Sequence, residues 1–97
     1  MKLKYSEESL LDLEDILDYI AIDSPSRALS YVRYLRKKIL LLTISPYLGI
    51  DCKYKNIYRD CRVYIIDSYL VFYSLKSNEI LIRRILNAHR NYKDGLI

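Results

Sequence analysis

After the first five residues, the period of the hydrophobic pattern shifts along this chain between Ile44 and Val63. Before that point apolar residues recur every three to four positions; after it they alternate. A helical half followed by a stranded half implies an α+β fold, with helices gathered on one face of a mainly antiparallel sheet.

The first half begins with Met1–Tyr5, where Leu3 and Tyr5 alternate with Lys2 and Lys4. This predicts a short strand near 2–5. Ser6 stands at an N-cap position, and Glu7 and Glu8 face the positive end of the helix macrodipole. Leu10, Leu13, Ile16, Leu17, Ile20 and Ala21 then fall within one arc of ~140°, opposite Asp15 and Asp18. The spacing predicts a helix over 7–21. Ser24 and Pro25 supply a second cap and a first-turn proline. Ala28, Tyr31, Val32, Leu35, Ile39 and Leu42 form the next stripe, and Leu40, Leu41 and Ile44 suggest cover on more than one side. This second helix is expected over 25–44, stopped by Pro46. A connection this short makes the pair an αα-hairpin.

From Pro46 to Asn56 no period is visible, so a loop is expected. Strands are expected at 57–66, 69–75 and 80–87, broken at Asp67-Ser68 and at Lys76-Ser77-Asn78-Glu79. Their short separations indicate a meander. Val63, Ile65, Val71, Tyr73 and Ile82 are the expected central core. The order is β-α-α-β-β-β: a helical hairpin packed on a small, mainly antiparallel sheet with the N-terminal strand at one edge. Both strand faces are apolar in places, so the face away from the helices should meet a tail, a groove lining or a partner.

The chain of 97 residues suits a single domain, 1–97, with a core of its own. No apolar run reaches the ~18–20 residues needed to cross a bilayer, and the acidic stretch after Lys4 does not fit a signal peptide. No membrane partner is expected, and the default address is the cytoplasm. Cys52 and Cys61 are read as a pair of reduced thiols; with His89 they offer too few soft ligands for zinc, and no metal or cofactor is expected. Residues 1–24 carry a balance of −5 and residues 25–50 a balance of +5, which suggests attraction between the two helices. The remaining +4 has no obvious internal partner and fits an anionic one. Eleven tyrosines and no tryptophan suit half-buried sheet surfaces and interfaces.

Several stretches resemble the RelE/ParE superfamily of bacterial toxins from toxin–antitoxin operons, often labelled plasmid-stabilisation proteins. Ser9–Ile20 (SLLDLEDILDYI) is similar to the family's "DL..I..YI" first helix, and Ser24-Pro25-Ser26-Arg27-Ala28 to its "P..A" start of the second. Leu42–Gly49 (LTISPYLG) fits the "L...P..G" exit. Tyr58-Arg59, Tyr69–Tyr73 and Arg84–Tyr92 (RILNAHRNY) resemble the sheet motifs and the closing "R.LHGRR" run. Here Asn87-Ala88 replaces the usual His-Gly, with His89 two places later. The resemblance spans nearly the whole chain and is closer to ParE-type than to RelE-type members.

The resemblance implies a toxin neutralised by a cognate antitoxin from the adjacent gene, within a toxin–antitoxin hetero-oligomer. A ParE-type toxin would bind DNA gyrase; a RelE-type toxin would cut mRNA on the ribosome. A third reading is an inactive or purely structural module of the same fold. RNA cleavage needs a base, a proton donor and cations for the charge of the transition state. His89, Arg59, Arg90 and Tyr92 are the residues that would supply them. Arg59, Arg83, Arg84, Arg90 and Tyr92 are the candidates for target or antitoxin binding. Packing and ion pairing within the domain are ordinary alternatives for each. Arg83 and Arg84 alternate across a strand, so at most one faces a given groove while the other reaches solvent or an acidic partner.

Overall fold

A computed structural model of the chain describes residues 1–52 and 60–89. Strand β1 (Lys2–Tyr5) leads into α1 (Glu7–Ala21) and α2 (Pro25–Leu40), followed by a 3₁₀ turn at Leu41–Thr43. Then come β2 (Ile50–Asp51), β3 (Cys61–Ile66), β4 (Tyr69–Lys76) and β5 (Glu79–Asn87). Both expected caps are present. Ser6 Oγ accepts from Ser9 N–H and Ser24 Oγ accepts from Arg27 N–H, with Pro25 in the first turn. The strands form one sheet in the order β1-β5-β4-β3-β2. β1 runs parallel to β5, and the other pairs are antiparallel.

The helical hairpin covers one face of this sheet. Leu13 and Ile16 of α1, with Leu35 and Ile39 of α2, pack on Ile66, Val71, Tyr73, Ile80, Ile82 and Ile85. Each such aliphatic group stabilises the fold by about 1.5–3 kcal/mol when fully buried. Cys52, Cys61, Phe72 and Leu86 form a second, smaller cluster, with Val63 and Leu70 against it. Strand alternation assigns that cluster to the opposite face.

One irregularity sets the facing of the last strand. Tyr73 pairs with Ile82 but Phe72 pairs with Arg84, so Arg83 is an extra residue in β5. Such a bulge shifts the two-residue alternation by one position. Ile80 and Ile82 face the helices before it, and Ile85 does so after it. The β4–β5 turn needs only Ser77 and Asn78, both at positive φ (52° and 60°), as a two-residue turn between twisted strands requires.

Several expectations are corrected. The second helix gives way to the 3₁₀ turn after Leu40. Leu40, Leu41 and Ile44 stay exposed, because at 100° per residue the first two point away from the Ile39–Leu42 line that meets the sheet. The expected loop 46–56 contains β2. Ile65 is 59% exposed rather than core: it lies on the face without helices, beyond Val63, where the pairing of β2 ends. Val63 is half-buried in the smaller cluster, while Val71, Tyr73 and Ile82 are fully buried. Cys52 and Cys61 are joined as a disulfide, not held as free thiols. The β2–β3 register sets them side by side with Cα atoms 5.0 Å apart, and Cys52 N–H donates to the Cys61 carbonyl at 2.9 Å. Among the described residues no ion pair joins α1 to α2, so the charge switch does not act as helix-to-helix pairing. Positions 57–59 of the second expected strand lie outside the described residues.

Candidate functional site

β1 stops pairing with β5 at Tyr5 and Ile82, so the following backbone groups of β5 need other partners. The start of α1 supplies them. Ser6 N–H donates to the Ile82 carbonyl at 2.9 Å, and Ser6 Oγ donates to the Arg83 carbonyl at 2.8 Å. Asp12, nearly two turns further on, accepts Ile85 N–H on Oδ2 at 2.8 Å. The same carboxylate takes a forked pair from Arg84, Nε at 2.8 Å and Nη2 at 3.0 Å. Asp12 is only 7% exposed. A carboxylate this buried is tolerable because three donors satisfy it.

Just past this pair lies a groove of about 440 Å³, lined in part by Asp12, Asp15, Tyr19, Tyr69, Asn87 and His89. His89 is exposed at the end of β5, where its N–H donates to Asn87 Oδ1 at 2.9 Å. Two carboxylates and no cation line the groove among the described residues. Such a lining repels a phosphodiester and lacks the positive groups that stabilise a developing phosphorane charge. It suits aromatic or cationic groups of a protein partner better. A neighbouring groove of about 340 Å³ shares Tyr69 and Asn87 and reaches Arg27, Ser30 and Tyr31. There Tyr31 OH donates to Asp67 Oδ2 at 2.9 Å, and its ring lies against those of Tyr34 and Tyr69. Burial first, and then the Asp67 carboxylate, hold the Tyr31 hydroxyl well above the usual phenol range.

The Pro46–Gly49 exit is fixed by the sheet beneath it. Tyr73 OH donates to the Pro46 carbonyl at 2.7 Å and accepts Gly49 N–H at 2.9 Å. A Cβ on Gly49 would come within 2.7 Å of the Tyr73 ring and 2.8 Å of the Val63 carbonyl, so only glycine fits this approach. Arg62 adds a second clamp. Its guanidinium donates to the Gly49 carbonyl and to Asp51, and lies 5.0 Å from the Tyr47 ring centroid.

Of the site residues read from sequence, Arg59, Arg90 and Tyr92 lie outside the described residues. His89 lines the acidic groove, Arg84 is turned into Asp12, and Arg83 Nε donates to Ser74 Oγ at 3.2 Å. The adjacent arginines are thus separated, with an acidic partner for one of them. Asp12 was not singled out. Its signal was an acid beside Leu13 on the buried stripe, out of place on a solvent face. Arg62 carried no signal, since nothing in the sequence shows that Gly49 folds back beside it.

Comparison with known proteins agrees with this architecture. A solved structure described as "Chromosomal ParDE TA system from P. aeruginosa" contains a chain that superposes with a TM-score of 0.78 at 22% identity. The match covers 92% of this chain and 97% of that one. No curated protein sequence matches. Residues 3–92 match the family described as the ParE toxin of type II toxin–antitoxin system, parDE. With nearly its full length inside that profile, the chain belongs to the ParE toxin family.

Proposed function

We propose that this ParE-family toxin acts by binding DNA gyrase in the cytoplasm, and that a cognate antitoxin from the adjacent gene neutralises it in a hetero-oligomer. The observation that carries a binding mode over bond-breaking is the surroundings of His89. The one imidazole of the chain stands in a groove with Asp12 and Asp15, while the nearby Arg84 guanidinium is committed to Asp12. A general base placed among carboxylates, without a cation among the described lining residues, is poorly set for RNA cleavage. The ParDE assembly of the similar P. aeruginosa chain supports an antitoxin partner here. The aromatic and acidic groove beside β5 offers such a partner tyrosine rings and carboxylates.

Two assays test the reading together. The purified chain is expected to inhibit gyrase supercoiling, with inhibition reversed by the adjacent-gene product, and to leave ribosome-bound message uncut in primer extension. Discrete cuts on translated message, lost in His89→Ala, would replace it with the mRNA endonuclease reading. An absence of effect in both assays would favour an inactive module.

A further inference from the structure

The sheet gathers on one face two cations from the start of the chain, Lys2 and Lys4, and two from its last third, Lys76 and Arg83. Lys2 of β1 pairs with Glu79 of β5, which pairs with Lys76 of β4, so these three side chains form one row on one face. The next row is Lys4, Leu81 and Ser74. Arg83 follows on the same face, its Nε bonded to Ser74 Oγ. This is the face that the helices do not cover. Neighbouring strands lie about 4.8 Å apart, so Lys2 and Lys76 stand about 10 Å from one another across the row. Glu79 is the acid of this group and pairs with Lys4 at 3.5 Å. Lys2 and Lys76 are exposed and have no ion-pair partner among the described residues. A hollow of about 260 Å³ between Lys76, Glu79 and Arg83 is lined by the hydroxyls of Ser74 and Ser77.

We infer that this cationic rows-and-hydroxyls surface binds the phosphate backbone of duplex DNA. Two features select that occupant. An acidic protein segment needs apolar anchors to dock stably, and among the described residues lining this hollow the half-buried Leu81 alone interrupts the polar groups. An unpaired strand needs aromatic faces for its bases, and no aromatic side chain lines this hollow among the described residues. Lysines, an arginine and two hydroxyls are what a sequence-independent backbone contact uses. The inference goes beyond gyrase binding and does not depend on it.

Fluorescence anisotropy of the full chain with a labelled random-sequence DNA duplex, without gyrase, tests it. With phosphate contacts from Lys2 and Lys76, affinity is expected to fall about 12-fold between roughly 50 and 200 mM salt. Lys2→Gln combined with Lys76→Gln should make the log–log salt slope shallower by about 2. Arg33→Gln with Lys37→Gln, an equal charge change on the exposed side of α2, should leave that slope unchanged. Circular dichroism confirms that each variant folds. Equal weakening by both pairs of substitutions would overturn the inference in favour of net charge alone. Tighter binding of single-stranded RNA, or binding of a poly-glutamate peptide but not of DNA, would overturn it in favour of those partners. Loss of gyrase inhibition with DNA binding intact would count against the proposed function and leave this surface standing.

Discussion

On the sheet face beneath the helices, Val71, Tyr73, Ile80 and Ile82 are wholly buried, while the other face of the sheet carries Lys2 and Lys4 of β1, Lys76 of β4 and Arg83 of β5. Neighbouring residues on β5 express the contrast most directly. Arg84 is spent on Asp12 and holds α1 against the strand; Arg83, the bulge residue, is directed to Ser74 on the far face. Two arginines adjacent in sequence thus have different partners, although the register sets Arg84 opposite Phe72, on the same side of the sheet as Ser74. The helix face uses charge to complete hydrogen bonds left open by the short β1. The other face presents charge to what lies outside, so equal substitutions should have unequal consequences.

The largest difference is expected at Asp12. Asp12→Ala removes the carboxylate from the half-buried Arg84 guanidinium and from the Ile85 N–H, and should cost about 3–5 kcal/mol in urea denaturation. Lys76→Glu, a larger change in charge but on the open face, should stay within about 0.5 kcal/mol of wild type. Comparable losses for the two would break the contrast. A smaller effect is expected at the loop clamp. Tyr73→Phe removes the hydroxyl shared by Pro46 and Gly49 and should lower stability by about 1–3 kcal/mol, because a buried N–H loses its acceptor. Amide exchange at Gly49 should accelerate in the same variant; unchanged protection there would show that the loop does not rely on this hydroxyl.

The smallest effect concerns alkaline pH. Burial and Asp67 raise the Tyr31 hydroxyl in the folded state, so the unfolded chain loses this proton first. Stability should be fully present below about pH 10 and decline as pH rises from there toward the folded value. Tyr31→Phe should flatten this decline in denaturation curves compared at two alkaline pH values. An equal decline in both proteins would place its origin elsewhere.

The helices and their caps were legible because local chemistry decides them. Ser6, Ser24 and Pro25 act within one turn, and the 3.6-residue stripe needs only an apolar layer to pack against. Strand positions were legible for the corresponding reason, alternation and turn residues. The facing of those strands was less so. Ile65 reads as core by its neighbours, yet it extends past the end of β2. Likewise Cys52 and Cys61 have no periodic frame to announce that they stand opposite one another.

The amino-acid sequence by itself determined the α+β class, the hairpin, the meander and the family resemblance, since these follow from periodicity, capping and motif order. Tertiary structure decided which charged groups are internal and which are presented. A single bulge at Arg83 resets the alternation of β5, and the four-residue β1 leaves backbone groups that Ser6 and Asp12 must satisfy. The first depends on where the pairing of β4 with β5 shifts and the second on the register between strands more than 70 residues apart, and no local spacing encodes either.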